Sequence, residues 1–362
     1  MDIRLENVLK YEQPTKYIVK SENYSDDFAL PVLTAGKSFV LGYTDETEGV
    51  CKASENPVII FDDFTADCKY VDFDFKVKSS AMKILHKVNA EDNLKYYFYA
   101  MQAIDYTPFS HKRVWISEYS KFKIENRSVV EQNNIVKDLD TVATAIDNAK
   151  QRLNALDELV KSRFIEMFGT LDLSIQGESW LPLSEISTIY TGTTPSTKEK
   201  ENWDGKIPWI TPAELSEDSF FVFDSERKIT EKGLKSKSLS LMPKNTVLLS
   251  TRAPIGKVAI AGIEMCCNQG FKNFHCNNTI LNPIYLYTLL KNNNEYLNSL
   301  GTGTTFKEIS KTNVSKIKVP VANISLQNEF AEYVKLIDKS KFVGYFTLNI
   351  FYVKSSHFHH PP

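Results

Sequence analysis

One long stretch in the middle of the chain, from about Val129 to Phe168, has the pattern of a coiled-coil helix. Its apolar residues recur at alternating steps of four and three, and no glycine or proline interrupts it before Gly169. At 1.5 Å per residue, roughly forty residues form a rod of about 60 Å. We therefore expect a spacer with a domain at each end, and a seam that needs a partner. The seam consists of Ile135, Leu139, Val142, Ile146, Ala149, Leu153, Leu156 and Val160.

Composition limits the classes of protein that the chain can belong to. Its 362 residues fit two domains of ordinary size plus the rod. The formal net charge of -2 provides no field over the whole molecule that would attract nucleic acid, so DNA contacts must come from local basic patches. Five scattered cysteines without a C-x-x-C pair predict reduced thiols. Because no secretory signal or membrane-spanning run is visible, we expect a cytoplasmic protein without a membrane partner.

The segments before and after the rod repeat one another. Short β-rich runs precede the rod, and the same pattern starts again after it, at offsets that grow from 177 residues (31 to 208) to 195 residues (132 to 327). Such offsets indicate a duplicated domain followed by a helix. The predicted matches are Pro31-Val32 with Pro208-Trp209, Val58-Ile59-Ile60 with Val247-Leu248-Leu249, Ile116-Ser117 with Ile309-Ser310, and Gln132 with Gln327.

This repeat predicts an α+β fold with two related domains and two helices. The central helix would pair antiparallel with a shortened C-terminal helix as a coiled coil, with Phe330, Val334 and Ile337 on the second seam. The predicted boundaries are 1–126 for the first domain, 127–169 for the central helix, 170–322 for the second domain, 323–341 for the C-terminal helix and 342–362 for a divergent tail. A helix that ends at Lys341 would leave part of the first seam unpaired, which predicts self-association.

Short polar motifs stand in a fixed order around the rod, and together they carry a family resemblance. They are His111-Lys112-Arg113-Val114-Trp115-Ile116-Ser117, Gly192-Thr193-Thr194-Pro195-Ser196, Ile207-Pro208-Trp209, Leu249-Ser250-Thr251-Arg252-Ala253-Pro254-Ile255-Gly256, Asn268-Gln269-Gly270-Phe271, Gly301-Thr302-Gly303-Thr304-Thr305-Phe306 and Ile309-Ser310. In this order, the chain resembles the DNA-specificity (S) subunit of type I restriction-modification enzymes, over nearly its whole length to about Lys341.

The resemblance implies a non-catalytic subunit with two target-recognition domains, each of which binds half of a split site in double-stranded DNA. It also implies that two methyltransferase (M) subunits, which methylate adenine N6, dock on the helices. Restriction (R) subunits would add ATP-driven translocation and cleavage. No cofactor and no metal are expected for the chain itself.

The candidate DNA-binding residues are basic, hydroxyl and amide side chains in the predicted loops. Hydroxyls and lysines suit phosphates, whereas arginine pairs with guanine and glutamine with adenine. The alternatives are solvated loops at 192–200 and 301–307, and a buried amide at Gln269 that closes a turn. The candidates are Lys37, Lys69, His111, Lys112, Arg113, Thr193, Thr194, Ser196, Lys198, Arg252, Lys257, Gln269, Lys272, Thr304, Thr305 and Lys307.

Two other classes of function stay open at this point. Asp62, Asp74 and Lys76 have the D…D-x-K order of a metal-dependent nuclease, in which two carboxylates bind Mg²⁺. A strand that exposes one acidic face explains the same residues. The other alternative is a coiled-coil assembly protein that binds no nucleic acid.

Overall fold

The computed structural model describes residues 2–357 except 36–37, 110–112, 176, 217–218, 238, 253 and 304–306, and for residues 342–357 it describes the backbone. The chain divides into two compact units. The first unit is Met1–Asn148 with Ile350–Pro362, and the second is Ala149–Asn349. The boundary falls inside the long central helix, so each unit contains a domain and a part of that helix.

The first unit consists of short strands, one packed helix and the start of the central helix. In chain order the elements are β1 (Asp2–Arg4), α1 (Leu5–Val8), β2 (Leu9–Glu12), β3 (Leu30–Leu33), β4 (Val40–Thr44), β5 (Val58–Asp62), β6 (Cys68–Val71), β7 (Lys76–Val77), β8 (Met82–Lys87), α2 (Leu94–Gln102), β9 (Lys123–Glu125) and α3 (Val129–Phe168). The strand orders are β2-β8-β5-β6, β4-β3-β7 and β1-β9.

The second unit continues with the remainder of α3 and a larger set of strands. Its further elements are β10 (Leu181–Pro182), α4 (Leu183–Ile186), β11 (Ser187–Thr191), β12 (Trp203–Ile210), β13 (Phe221–Val222), β14 (Lys228–Ile229), α5 (Glu231–Ser236), β15 (Val247–Thr251), β16 (Ile255–Ala261), β17 (Cys266–Cys267), β18 (Lys272–Cys276), α6 (Pro283–Asn292), α7 (Asn294–Ser299), α8 (Lys311–Ser315), β19 (Lys318–Val319) and α9 (Ile324–His357). The strand orders are β11-β18-β15-β16-β13, β14-β12-β17 and β10-β19.

Both units bury one face of their larger sheet under a helix. In the first unit, Leu94, Tyr97 and Met101 of α2 share a core with Ile59 of β5. In the second, α6 is buried on all sides of its middle turns and shares a core with Val247 of β15. Each helix starts at an asparagine N-cap: Asn93 accepts a hydrogen bond from the N–H of Lys95 at 3.0 Å, and Asn282 accepts one from Ile284 at 2.9 Å.

Within each unit, the domain is bonded to the following helix in the same way. The backbone N–H of Asn93 donates to Gln132 Oε1 at 2.8 Å, and that of Asn282 donates to Gln327 Oε1 at 2.9 Å. In addition, the hydroxyl of Tyr96 donates to the carbonyl of Glu125, and that of Tyr285 to the carbonyl of Pro320. Both glutamines are buried, so their amides fix the angle at which the helix leaves its domain.

The structure shifts two of the predicted matches between the repeated segments. Ile59, rather than Val58, corresponds to Val247, because both lie in the core under the helix while Val58 faces the opposite core. A shift of one residue in a strand exchanges its two faces. The difference therefore decides which side chains of β5 face the core under α2 and which face the opposite core.

The second shift concerns the segment before β9. The N–H of Val114 donates to the carbonyl of Asp63 at 3.0 Å, and that of Ile309 donates to the carbonyl of Thr251 at 3.0 Å. Ile116, the predicted match of Ile309, is 57% exposed. Val114 therefore occupies the position that corresponds to Ile309, and Ile116 is a surface residue.

The central helix runs from Val129 to Phe168 as the heptad pattern predicts. The C-terminal helix differs from the prediction, because it continues past Lys341 to His357. The segment beyond Lys341 loses the heptad spacing, but it contains no proline and only Gly344, so nothing in its sequence stops the backbone from remaining helical. The length argument for an unpaired seam and for self-association therefore no longer holds.

Within the second unit, α3 and α9 contact each other through aromatic and charged side chains. The rings of Phe164 and Phe330 lie 5.4 Å apart, and Arg163 is paired with Glu329 at 3.2 Å. Further along, Asp157 is paired with Lys341. The residue numbers fall on α3 while they rise on α9, so these segments run in opposite directions. Among the seam residues, Leu153, Phe330 and Val334 are buried, and Ile135, Leu139, Val142, Ile146, Leu156 and Ile337 are half-buried.

Across the described part of the chain, no helix combines the length and the apolar character that crossing a bilayer requires.

Candidate nucleic-acid interface

A pocket lies where the ends of three strands of the second unit meet. Its lining consists of Thr211, Pro212, Ala213, Arg252, Asn268, Gln269 and Gly270. Thr194 joins this group from the neighbouring loop, because its hydroxyl donates to Gln269 Oε1 at 2.7 Å. The structure therefore brings together three of the predicted DNA-binding residues, Thr194, Arg252 and Gln269.

Close backbone contacts hold the loop that carries Thr194 in place. The N–H of Thr193 donates to the carbonyl of Cys267 at 3.1 Å. Gly192 packs so tightly that a Cβ atom there would collide with the carbonyl oxygens of Cys267 and Asn268. Only glycine permits this approach, so Gly192 determines how close the hydroxyl of Thr194 comes to Gln269.

The side chain of Gln269 is exposed, and its amide is oriented by Thr194. The amide oxygen has two lone pairs, so it can accept from Thr194 and from one further donor. The NH₂ group of the same amide can donate. This leaves the donor and acceptor pair that matches the major-groove edge of adenine. The alternative of a buried amide does not apply, since the side chain is on the surface.

The backbone next to Lys307 pairs with the backbone of Arg252. Arg252 forms an isolated antiparallel bridge with Glu308, the residue after Lys307. Among the described residues, neither the guanidinium of Arg252 nor the ammonium of Lys307 or Lys198 has an ion-pair partner. Ser196 has a structural role through its carbonyl, which accepts from Trp203 Nε1 at 3.1 Å.

Two predicted DNA contacts, Lys257 and Lys272, are engaged inside the domain instead. Lys257 Nζ donates to the carbonyls of Leu215 and Pro212, the latter at 3.4 Å. Lys272 is buried, and its ammonium donates to the carbonyl of Gln269 at 3.2 Å and lies 3.5 Å from Glu308. Both lysines support the loops that form the pocket, because their ammonium groups donate to loop carbonyls.

Thr211 is a pocket residue that the sequence analysis did not single out. Its backbone N–H and its hydroxyl both contact Glu214 Oε1, at 2.7 and 3.0 Å, as a capping box around a short 3-10 turn. The pattern T-P-A-E at residues 211–214 is a recognisable sequence signal for this arrangement.

The basic run from Arg227 to Lys237 is partly engaged in the domain. The guanidinium of Arg227 stacks 3.5 Å above the ring of Trp203, Lys228 is paired with Asp224 at 3.0 Å, and Lys232 is paired with Glu201. Lys235 and Lys237 are exposed.

The candidates of the first unit are less clustered. Lys69 is exposed on β6 and is paired with Asp67 at 3.4 Å, while Arg113 donates to the carbonyl of Ser80 at 3.5 Å. Lys37, His111, Lys112, Thr304 and Thr305 lie outside the described residues.

The three residues of the nuclease hypothesis have separate structural partners. Asp62 Oδ1 accepts from the N–H of Phe64 at 2.8 Å. Asp74 binds Lys52 at 2.8 Å, which together with hydrogen bonds from Ser54 lowers the pKa of its carboxyl. Lys76 is buried and donates to the carbonyl of Glu48 at 2.6 Å. No group of three or more His, Cys, Asp and Glu side chains suited to a metal occurs in the part of the chain that the structure describes.

The cysteines are buried within the two domains. Burial raises the pKa of the thiols of Cys68, Cys266, Cys267 and Cys276 to about 12. These thiols are therefore protonated at neutral pH and are poor nucleophiles.

Comparisons with known proteins agree on one family. Residues 180–342 match the family described as the type I restriction modification DNA specificity domain. The chain is 37% identical over 354 residues to the type I restriction enzyme EcoR124I/EcoR124II specificity subunit of Escherichia coli, a match that covers 92% of this chain and 85% of that protein. It is also 37% identical over 185 residues to the type I restriction enzyme MjaIX specificity subunit of Methanocaldococcus jannaschii, which covers 50% of this chain and 43% of that protein.

The fold has a counterpart among solved structures. The crystal structure of the type I restriction-modification system S subunit from M. genitalium superposes with a TM-score of 0.62 at 15% identity, and the match covers 99% of this chain and 94% of that chain. At this identity the likeness concerns the fold.

Proposed function

The chain belongs to the family of type I restriction enzyme specificity subunits, and we propose that it binds a DNA site in two separate parts, one at each unit. Sequence specificity for DNA is the role of this family. The observation that carries the two-part proposal is the shared strand order of the units, together with the matching bonds from Asn93 to Gln132 and from Asn282 to Gln327. Two domains with the same strand order, connected by a continuous helix, could each bind one of two half-sites separated by a constant distance.

In the pocket of the second unit, some residues would contact bases and others would contact phosphates. Arg252 and Gln269 line the pocket and would contact base edges, and Thr194 positions the amide of Gln269. Thr193, Ser196, Lys198, Lys307, Thr304 and Thr305 would contact phosphates. In the first unit, Lys37, His111, Lys112 and Arg113 would have the corresponding role.

The two helices would set the distance between the half-sites. The antiparallel contacts of Phe164 with Phe330 and of Asp157 with Lys341 support a coiled coil between α3 and α9, built from a duplicated domain and helix. Such a rod also offers docking surfaces for two M subunits, to which R subunits would be added. In this assembly, methylation of adenine N6 and DNA cleavage belong to the partners, and this chain contributes no catalytic group. The complex would work in the cytoplasm.

The test is a map of methylated adenines in a genome that expresses this chain with its M subunit. We expect a split site whose two parts are separated by a spacer of constant length. Gln269→Ala should relax the sequence in one part only. A change in both parts, or methylation at a single uninterrupted site, would contradict the two-part proposal.

A second experiment tests whether the helices set the distance between the half-sites. Seven residues inserted into α3 and seven at the facing position of α9 lengthen the rod by about 10 Å, which corresponds to about three base pairs. The spacer should grow by that amount while both half-sites stay the same. Magnesium-dependent cleavage of DNA by the purified chain alone would instead favour a nuclease.

A further inference from the structure

A groove in the first unit is lined by aromatic side chains and bordered by the edge of a sheet. Its walls are β6, α2 and the first part of α3, and the residues that matter here are Phe39, Lys69, Tyr70, Phe98, Tyr99 and Asp147. We call it the β6 groove. β6 is the outermost strand of the order β2-β8-β5-β6, so among the described residues no strand pairs with one side of its backbone.

The backbone of Tyr70 faces this open side. Asp62 donates its N–H to the carbonyl of Asp67 at 2.8 Å, and the ladder continues with the pairs Phe61–Cys68, Ile60–Lys69 and Ile59–Tyr70. Hydrogen-bonded and non-hydrogen-bonded pairs alternate in such a ladder. Tyr70 therefore belongs to a non-hydrogen-bonded pair, and its N–H and C=O point away from β5.

The second unit fills the corresponding place with a strand of its own. β13 lies parallel to β16, with Phe221 opposite Ile260. The N–H of Ile260 donates to the carbonyl of Phe220 at 2.7 Å, and that of Gly262 donates to the carbonyl of Val222 at 2.7 Å. The ring of Phe220 packs 5.0 Å from that of Tyr287 on α6.

Two independent anchors establish that these positions correspond. Ile59 matches Val247, and their partners across the ladder are Tyr70 and Ile260. Tyr96 of α2 matches Tyr285 of α6 by its hydrogen bond, so Phe98, two residues later, matches Tyr287. Phe98 and the N–H of Tyr70 thus offer the two contacts that hold Phe220 in the second unit, where Tyr287 packs against its ring and Ile260 donates to its carbonyl.

The first unit has too short a connection to supply this strand itself. Residues 211–227 join β12 to β14 and contain β13, whereas only residues 34–39 join β3 to β4. Phe39 at the end of this connection lines the groove, and no strand that the structure describes covers the outer edge of β6.

We propose that the β6 groove binds an extended segment of a partner protein, which adds a strand parallel to β6 and places an aromatic side chain against Phe98. Strand addition supplies main-chain hydrogen bonds, and the aromatic pocket supplies selectivity. This proposal is independent of how the second unit contacts DNA.

The charges around the groove favour a basic protein segment over DNA. The two lysines on its walls are already paired, Lys69 with Asp67 at 3.4 Å and Lys95 with Asp140 at 3.0 Å. Among the described side chains, Asp72 and Asp147 have no cationic partner. A segment with lysine or arginine beside its aromatic residue complements these carboxylates, whereas a phosphate backbone is repelled by them.

The first test measures amide hydrogen exchange at Tyr70 in the full chain. The probe is a peptide with the sequence of residues 219–223, Ser-Phe-Phe-Val-Phe, with one lysine added at each end. We expect fast exchange at Tyr70 in the chain alone and slow exchange with the peptide. Slow exchange without the peptide would overturn the proposal, because the chain would then cover its own edge. Fast exchange under saturating peptide would overturn it as well.

Variants and matched peptides locate the binding. Phe98→Ala should weaken peptide affinity about tenfold or more, whereas Tyr287→Phe, at the matching position of the second unit, should leave it unchanged. Asp72→Lys, at an exposed position, should weaken the lysine-flanked peptide about two- to fivefold and strengthen a glutamate-flanked one. Equal effects of Phe98→Ala and Tyr287→Phe, or no discrimination between the peptides by Asp72→Lys, would contradict the proposal. A duplex DNA that competes with the peptide would assign the groove to DNA instead.

Discussion

Gln327 accepts, on its side-chain oxygen, a hydrogen bond of 2.9 Å from the backbone N–H of Asn282. The amide nitrogen of the same side chain donates to the carbonyls of Ala322 at 2.7 Å and Ile280 at 3.0 Å. One buried side chain thus joins the start of α6, the segment before it and the start of α9. In the first unit, Gln132 accepts from Asn93 and donates to the carbonyl of Arg127 at 3.0 Å.

Gln327→Leu should lower the free energy of unfolding by about 2–4 kcal/mol, because it leaves buried N–H and C=O groups without partners. Urea denaturation followed by circular dichroism measures the change. Ser325→Ala, at an exposed position of the same helix, is the control and should change stability by less than about 0.5 kcal/mol. A loss below about 1 kcal/mol for Gln327→Leu would show that the amide is dispensable.

Gln269→Ala and Lys198→Ala should affect DNA binding in different ways. Loss of a base contact should cost about 1–3 kcal/mol on the preferred sequence and little on other sequences. Loss of a phosphate contact should weaken all sequences alike and reduce the salt dependence by about one unit. Binding of the assembled complex to matched and mismatched duplexes at several salt concentrations separates the two. Thr194→Val should resemble Gln269→Ala, and Thr194→Ser should retain specificity.

The pair of Glu46 with the buried Lys76 should make stability dependent on acid pH. The carboxylate lies 2.9 Å from the ammonium and also accepts from the backbone N–H groups of Lys20 and Ser21 at 2.8 Å each. These contacts lower the pKa of Glu46 below its ordinary 4.5. A carboxyl group with a lowered pKa in the folded state stabilises the fold above its unfolded pKa, and this contribution is lost as pH falls through the folded value.

Glu46→Gln should therefore destabilise the first unit by about 3–5 kcal/mol at pH 7, since it leaves a buried charge unpaired. The difference from the unsubstituted chain should shrink progressively below about pH 4.5. Thermal unfolding across pH measures it, with Glu55→Gln on the surface as the control. A difference that stays constant down to pH 3 would contradict the assignment of the effect to this ion pair.

Phe330→Ala tests the contact of the two helices in the second unit. Phe330 is fully buried against Phe164 and Phe168, so truncation should cost about 3–5 kcal/mol. Leu336→Ala on the same helix should cost little, because that side chain is 62% exposed. Chemical denaturation of the two variants gives the comparison, and equal losses would mean that the burial differs in solution.

The heptad spacing predicted the central helix well, because a stripe of apolar residues on a proline-free segment has few alternative conformations. The same spacing does not predict the end of α9, because the heptad pattern fades after Lys341 while the backbone remains helical to His357. A helix forms where the residues are compatible with helical backbone angles. A heptad pattern indicates, in addition, that the helix packs against another helix.

The sequence does not determine the register between the two segments that are predicted to repeat. Val58, Ile59 and Ile60 are all apolar and all buried, so the sequence does not reveal which face each one occupies. Similarly, the types of Lys257 and Lys272 suggested DNA contacts, although loop carbonyls already surround their ammonium groups. Leu215 lies 42 residues from Lys257, and Glu308 lies 36 residues from Lys272, so composition and spacing do not predict these contacts.

The boundary between the units inside α3 has a consequence for how such genes can change. The side chains that bind the first domain to this helix are at Gln132, Asn133 and Asp140, and those that bind α9 begin at Asp157. Among the described side chains, residues 141–156 form no hydrogen bond or ion pair outside the helix. A crossover between two related genes in this stretch should therefore keep the described hydrogen bonds of Gln132 to the first domain and of Gln327 to the second. If the two units bind separate half-sites as proposed, such an exchange should change the preferred sequence in one half of the DNA site and leave the other half unchanged.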